Sequence, residues 1–185
     1  MQKQLRAITN SLESAQSRLR RLSDKISDKD WNKHPGPDRW SAAECVEHLN
    51  LTSKAYVPLL RDAVSRARKS SKPPSKHYRR DPLGWLFSMI IGPIRGVGKL
   101  RMPRVKTSPG FVPKTGRSRS VTLSEFVRLQ SELEAVIRSG DGLPLDNVKI
   151  VSPFGGRMKY SAYSALIIVA QHQHRHIEQA EKAAL

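Results

Sequence analysis

Near the amino terminus, apolar residues recur at alternating spacings of three and four positions. The members of this stripe are Leu5, Ile8, Leu12, Ala15, Leu19, Leu22 and Ile26. Because an α-helix has 3.6 residues per turn, this spacing places every member on one side of a helix and the charged residues elsewhere. The stripe therefore predicts an amphipathic helix. It ends before residues 34–38, where two prolines and a glycine cannot continue it.

Three further segments are predicted to be helical. The second helix begins at Ser41-Ala-Ala-Glu44, a capping box in which the serine and the glutamate side chains each bond a backbone amide of the other residue. A second capping box, Thr122-Leu-Ser-Glu125, is expected to begin the third helix. The last helix is predicted to begin around Ser161 and to run almost to the end of the chain.

The segment between the second and third helices is rich in proline. Residues 70–121 include Pro73, Pro74, Pro82, Pro93, Pro103, Pro109 and Pro113. They predict a long connection with one short helix around residues 83–91. Residues 140–160 form a second irregular link without a strand pattern. Four amphipathic helices with one long crossover predict an all-α fold, a single four-helix-bundle domain over residues 1–185 with its crossover at residues 61–121.

The positive charge of the chain is concentrated in this crossover. The 185 residues include 33 Lys and Arg against 16 Asp and Glu, a net charge of +17. Residues 61–120 hold 16 of the basic residues and only two acids, Asp62 and Asp81. The rest of the chain has 17 basic and 14 acidic residues, a net charge of only +3. The crossover is therefore the part of the chain suited to an anionic partner.

Three kinds of anionic partner fit the crossover. Its basic residues, together with Tyr78, Trp85 and Phe87, suit nucleic acid through phosphate contacts and stacking. The apolar run 85–91, flanked by basic residues, suits the surface of an anionic membrane. The basic walls would also draw an anionic small-molecule substrate toward the bundle. For the apolar run we favour a plainer interpretation, a solvated loop whose apolar residues cover the bundle or a second copy in a homodimer. The candidate anion-binding residues are Arg79, Arg80, Arg101 and Arg104.

Other features exclude several classes of protein. A single cysteine, Cys45, excludes a disulfide framework and a metal site built from several thiolates. The longest apolar run is too short to span a bilayer. The amino terminus lacks the apolar core of a signal peptide, which predicts a cytoplasmic protein. The sequence contains no P-loop, no Gly-rich nucleotide-binding fingerprint and no Ser/His/Asp arrangement.

Histidines interrupt the apolar face of the last predicted helix. His172 and His176 are four residues apart, so their Cβ atoms lie about 5–6 Å apart on one side of a helix and both imidazoles can bind one metal ion. His48, on the inward side of the second helix, is a third candidate ligand if these helices are neighbours. His174 points to the opposite side and is expected to be solvated. The alternative is that the pair holds no metal and that His48 is a hydrogen-bonded core residue.

Residues beside these histidines have weaker signals. Cys45 is interpreted as a small core residue rather than a fourth ligand or a reactive thiol. Gln179, three residues after His176, would either orient that ligand or face solvent. Glu44 is interpreted as the helix cap, and Glu47 as a surface charge.

Three stretches resemble one known family, the DinB-like superfamily, which includes the YfiT-type metal-dependent enzymes. Its second-helix signature is similar to Trp40-Ser-Ala-Ala-Glu-Cys-Val-Glu-His48-Leu, preceded by Pro-Gly-Pro. Its H-x-x-x-H-x-x-Q ending resembles His172-Gln-His-Arg-His176-Ile-Glu-Gln179. The link ahead of the last helix in its second subgroup is similar to Val151-Ser-Pro-Phe-Gly-Gly-Arg-Met. The resemblance covers most of the chain.

The resemblance implies a four-helix bundle with a long crossover and a divalent metal ion, Zn, Ni, Fe or Mn, held by three histidines. Those ligands correspond to His48, His172 and His176. Characterised members include S-transferases that use bacillithiol or mycothiol and a mycothiol-dependent isomerase. The resemblance thus implies a metal-dependent transferase or hydrolase-like enzyme acting on a small molecule, with a low-molecular-weight thiol as a further cofactor. The alternative is a non-catalytic protein whose basic segment contacts nucleic acid or an anionic membrane surface.

Overall fold

The chain is described by a computed structural model over residues 1–73, 75–91, 107–114, 116–155 and 157–185. Most of these residues are helical, as the all-α prediction requires. The elements in chain order are helices α1 (Lys3–Lys25), α2 (Asp28–Asn32), α3 (Ala42–Arg68) and α4 (Pro82–Ile91), a 3₁₀ turn (Pro109–Phe111), helix α5 (Arg119–Ser139), strands β1 (Lys149–Val151) and β2 (Lys159–Ser161), and helix α6 (Ala162–Ala183).

The long helices α1, α3, α5 and α6 pack on one another. Helix α3 contacts both α5 and α6, and α1 contacts the same two helices. The predicted apolar stripe of α1 is buried from Leu5 to Leu22, whereas Ile26 lies just after the helix and is half-buried. The amphipathic pattern of the sequence therefore marks the faces along which these helices meet.

The buried apolar residues form two clusters. One contains Tyr56 of α3 and Tyr160 of β2, whose hydroxyl oxygens lie 2.5 Å apart. The other contains Trp31 of α2. Along α6 the first cluster ends at Ala170 and the second begins at Ile177. The stretch between them carries the two histidines of the predicted metal site.

Helices α2, α3, α5 and α6 each start after a serine cap. The Ser41–Glu44 capping box at α3 and the predicted start of the last helix after Ser161 are both confirmed. The expected capping box at Thr122 is wrong, because Ser118 caps α5 by accepting a hydrogen bond from the amide of Val121. Thr122 lies inside that helix and is buried.

Two short strands and one short helix were not predicted. Strands β1 and β2 form an antiparallel pair in which Ile150 is opposite Tyr160. This pair lies within the link that showed no strand pattern, since three-residue strands are too short to display an alternation. The small helix α2 follows α1 and is capped by Ser27.

Helix α4, which confirms the short helix expected in the crossover, packs against α6 and β2. The carboxylate of Asp81 accepts hydrogen bonds from the amide of Ser161 and the hydroxyl of Ser164, both at 2.8 Å. It also accepts one from the amide of Gly84 at 3.0 Å. One carboxylate therefore caps α4 and ties it to the start of α6.

Arg117, a residue of the crossover, forms ion pairs with acidic residues of the neighbouring helices. Arg117 donates hydrogen bonds to Glu47 at 2.9 Å and to Glu125 at 2.6 Å. The interpretation of Glu47 as a surface charge is therefore wrong, because its side chain is only 7% exposed and is paired with Arg117. Within the described ranges, no helix is both long enough and apolar enough to cross a bilayer.

Candidate metal centre

The packing of α3 on α6 brings the three predicted histidines together. His48 lies on α3, and His172 and His176 lie on α6. One ring nitrogen from each of the three lies within 4.8 Å of the others. Their ring centroids are 4.5–5.0 Å apart. Residues 124 positions apart in the chain thus converge on one point.

A backbone contact orients the first imidazole. Nδ1 of His48 lies 2.7 Å from the carbonyl oxygen of Phe111, in the 3₁₀ turn. A carbonyl oxygen only accepts, so Nδ1 carries the proton and the lone pair is on Nε2. Nε2 of His48 in turn lies 3.3 Å from Nε2 of His172. The lone pair of His48 is therefore directed into the cluster.

The second ring of the α6 pair has an unsatisfied nitrogen. Nδ1 of His176 is buried and has no hydrogen-bond partner among the described residues. A buried polar atom without a partner is costly, so this nitrogen, on a ring whose centroid lies 4.5 Å from those of the other two histidines, is suited to a ligand. Gln179, on the next turn of α6, lies beside the His176 side chain and slightly opposes the lowering of its pKa.

The three imidazoles are held neutral. Burial lowers the pKa of His48, and the hydrogen bond to Phe111 only partly opposes this effect. Burial, followed by the neighbouring His48 and by Arg175, lowers the pKa of His172 well below its ordinary value. Burial and the other two histidines lower the pKa of His176 in the same way. Neutral imidazole is the form that binds metal ions, so the environment favours the ligand state.

The donor set fits a divalent transition metal ion. Two nitrogens bound to a tetrahedral zinc ion, each about 2.0–2.1 Å from it, are roughly 3.3 Å apart. His48 Nε2 and His172 Nε2 have this separation. Three neutral imidazoles also leave coordination positions open for water or substrate.

The cluster opens into a pocket of about 340 Å³. Its walls are mostly apolar, and a few polar groups converge on the histidines. Besides the three histidines, the lining residues are Phe87, Ile90, Thr107, Ser108, Phe154, Gly155, Met158 and Arg175. The ring of Phe154 lies 5.6 Å from that of His172. Helix α4 supplies one wall, and the link around β1 and β2 supplies another.

Two residues of this site were missed by the sequence reasoning. Arg175 lines the pocket, and its guanidinium donates a hydrogen bond to the carbonyl oxygen of Ile90 at 2.7 Å. The sequence feature that could have indicated Arg175 is its position three residues after His172, because this spacing places both residues near the same side of α6. Trp40 packs beside the cluster, with its ring 4.8 Å from His48 and 5.9 Å from His176. The sequence feature that could have indicated Trp40 is its position at the start of the stretch from Trp40 to His48 that resembles the family's second-helix signature.

The other predicted residues lie away from the cluster. Cys45 is fully buried in the second apolar cluster, and burial raises the pKa of its thiol. His174 does face away from the pair, but it is not freely solvated, because its Nε2 lies 3.0 Å from the hydroxyl and carbonyl oxygens of Ser11 on α1. Arg79 and Arg80 are exposed and do not line the pocket. Arg101 and Arg104 lie outside the described residues.

These observations define a helical protein with a largely buried three-histidine cluster that lines an apolar pocket. The family model of the DinB superfamily matches residues 11–180, and the chain belongs to this superfamily. Comparison with curated proteins gave no match, and comparison with solved structures gave none either.

Proposed function

We propose that this protein is a metal-dependent enzyme in which His48, His172 and His176 hold a divalent metal ion at the centre of a four-helix bundle. The observation that carries the proposal is the convergence of three neutral imidazoles, one of them with a buried, unpartnered nitrogen. Among the candidate ions, imidazole ligands suit Zn, Ni and Fe, whereas Mn prefers oxygen ligands. A divalent ion in such a site lowers the pKa of a bound water or thiol and polarises a bound carbonyl.

The chain's own residues orient the site and exclude water from it. The carbonyl of Phe111 fixes the tautomer of His48, and Gln179 holds the ring of His176, which makes both of them orienting residues. The apolar walls of the pocket, including Phe87 and Met158, lower the local dielectric around the reacting groups.

Arg175 indicates the kind of substrate. Among the described residues that line the pocket, its guanidinium is the group that carries a positive charge. None of these described lining residues has a carboxylate. A small molecule with an apolar body and an anionic group therefore fits the pocket. Arg175 would position that group beside the histidines.

The reaction we propose is a thiol-dependent S-transfer, with hydrolase-like chemistry as the second form of the proposal. Cys45 does not supply the thiol, because it is fully buried, its pKa is raised and it lies outside the three-histidine cluster. A thiol nucleophile would therefore come from a low-molecular-weight cosubstrate. The absence of a carboxylate from the described pocket lining also favours this form over one that needs a protein general base.

The test combines metal analysis with turnover. Wild-type protein from metal-supplemented expression is expected to contain one divalent ion per chain, and a His48→Ala/His172→Ala variant is expected to contain none. Turnover is measured with low-molecular-weight thiols and an electrophile, and separately with small ester and amide substrates. Arg175→Gln is expected to raise KM more than it lowers kcat for anionic substrates. Wild-type protein without metal, or a double variant that keeps it, would contradict the proposal.

A further inference from the structure

Helix α4 presents an apolar face to solvent. Leu83, Trp85, Leu86 and Met89 are 50–52% exposed, although all four are large hydrophobic residues. The helix contains no charged residue. We propose that this outward face of α4 docks on the surface of an anionic membrane.

The two sides of α4 are distinct. Gly84 and Ser88 are buried, and Phe87 is half-buried and lines the histidine pocket. At 100° per residue, Trp85, Leu86 and Met89 occupy the opposite side of the helix, and Leu83 lies at the edge between the two sides. The favoured interpretation, in which the apolar run covers the bundle, therefore accounts for only one side of α4. The other side is a contiguous apolar surface of the kind that marks an interaction site.

The charges around α4 suit an anionic surface. Arg79 and Arg80 lie just before the Asp81 cap of the helix and are exposed. Lys159 is exposed on β2, which contacts α4. Asp81 is directed inward to α6, and Asp146 accepts a hydrogen bond from the amide of Arg79. Residues 92–106 of the sequence contain five Lys or Arg and no acid, so the sequence after α4 brings no repelling charge.

The size and chemistry of this face favour a membrane surface over other partners. A ten-residue helix is about 15 Å long, half of the roughly 30 Å hydrocarbon core, so α4 would lie in the interface rather than cross it. Leu83, Leu86 and Met89 have no favourable partner on a phosphate backbone, which disfavours nucleic acid. A symmetric dimer through α4 would bring the crossovers of two copies together. In each copy, residues 61–120 carry 16 basic residues and two acids, so charge repulsion disfavours a second copy as the partner.

The experiment measures co-flotation of the full-length protein with vesicles of phosphatidylcholine alone or of phosphatidylcholine with phosphatidylglycerol. The variant Leu86→Gln/Met89→Gln removes part of the apolar face. The matched control, Val121→Gln/Val127→Gln, changes two residues of similar exposure, 48% and 46%, on α5. A third variant, Arg79→Gln/Arg80→Gln, lowers the charge. Circular dichroism verifies that each variant is folded.

We expect wild-type protein to bind the anionic vesicles and not the neutral ones, and added salt to weaken the binding. Leu86→Gln/Met89→Gln should reduce partitioning about tenfold or more, and the control should bind like the wild type. Three results would overturn the proposal. The first is no binding of wild-type protein to anionic vesicles, and the second is full binding by the Leu86→Gln/Met89→Gln variant. The third is that wild-type protein forms a dimer in sedimentation velocity, or binds duplex DNA, and that the Leu86→Gln/Met89→Gln variant loses this dimer or this DNA binding.

Discussion

Gly84 on α4 lies against Ser164 on α6 so closely that a Cβ added to the glycine would stand 2.4 Å from Ser164 Cβ. Atoms of two side chains do not approach this closely without a shift, so glycine is required for the two helices to meet here. Helix α4 also carries Phe87 and Ile90 to the wall of the histidine pocket. The Gly84–Ser164 contact therefore helps to set the width of that pocket.

Gly84→Ala is expected to destabilise the protein by about 1–3 kcal/mol, because the methyl group must push α4 away from α6. Urea denaturation followed by circular dichroism measures the change in the free energy of unfolding. Gly110→Ala is the control, since an added Cβ there meets no atom within 4 Å. A Gly84→Ala variant as stable as this control would show that α4 is not held at its observed distance.

Asp81 is expected to give the fold a pH-dependent contribution to stability. Burial tends to raise the pKa of Asp81, but hydrogen bonds from the Ser161 and Gly84 amides and from Ser164 lower it from 3.8 to about 2. Because the folded-state pKa lies below the unfolded one, the stabilisation is complete above about pH 4 and is lost as the pH falls toward 2.

Asp81→Asn is therefore expected to cost about 1–3 kcal/mol near neutral pH, and the difference from wild type should shrink as the pH falls from 4 to 2. Unfolding curves recorded across this range measure it. Asp62→Asn is the matched control, because that carboxylate is 63% exposed and pairs with Arg66 on the surface of α3. A difference in the free energy of unfolding between wild type and Asp81→Asn that stays constant from pH 4 to 2 would show that ionised Asp81 is not the source of the stabilisation.

Metal addition is expected to stabilise the folded protein through the three histidines. A ligand at 100 times its dissociation constant adds about 2.7 kcal/mol to the free energy of unfolding when it binds only the folded state. Wild-type protein stripped of metal should therefore show a higher Tm when a divalent ion is added, and His176→Ala should show little shift. His174→Ala should respond like wild type, since His174 faces Ser11 on α1. Equal Tm shifts in His176→Ala and His174→Ala would show that the metal ion binds outside the three-histidine cluster.

Arg117 is expected to stabilise the start of α5. It bridges Glu47 and Glu125, whose side chains are 7% and 13% exposed. Arg117→Met leaves Glu47 buried without this partner, so we expect a loss of about 1–3 kcal/mol. Arg128→Met, which removes a 56% exposed arginine that also contacts Glu125, should cost under about 1 kcal/mol. Chemical denaturation of both variants compares the two losses, and similar values would mean that burial of Glu47 matters little.

The long helices were predictable because their signals are local. The stripe of α1 and the Ser41 capping box of α3 depend on residues within a few turns of one another. The pair His172 and His176 was predictable for the same reason. Spacing alone left open whether His48 joins them, because that depends on how α3 packs on α6.

The missed features depend on contacts that are distant in the sequence. Glu47 resembles a surface charge until Arg117, 70 positions later, is placed beside it. Arg175 is a charged residue on a polar stretch of helix, and only the approach of α4 shows that it lines a pocket. The sequence also does not predict which side of α4 is exposed, because every side of an apolar run is equally able to pack on the bundle.

The hydrogen bond from His48 to Phe111 joins a candidate ligand to a turn 63 positions away in the connection between α4 and α5. An ion that binds the Nε2 lone pair of His48 also favours the conformation in which the carbonyl of Phe111 accepts a hydrogen bond from Nδ1. Metal affinity and the ordering of the turn are therefore thermodynamically linked, and each raises the other by the same factor. Substitutions around Phe111 that loosen the turn would weaken metal binding without touching a ligand.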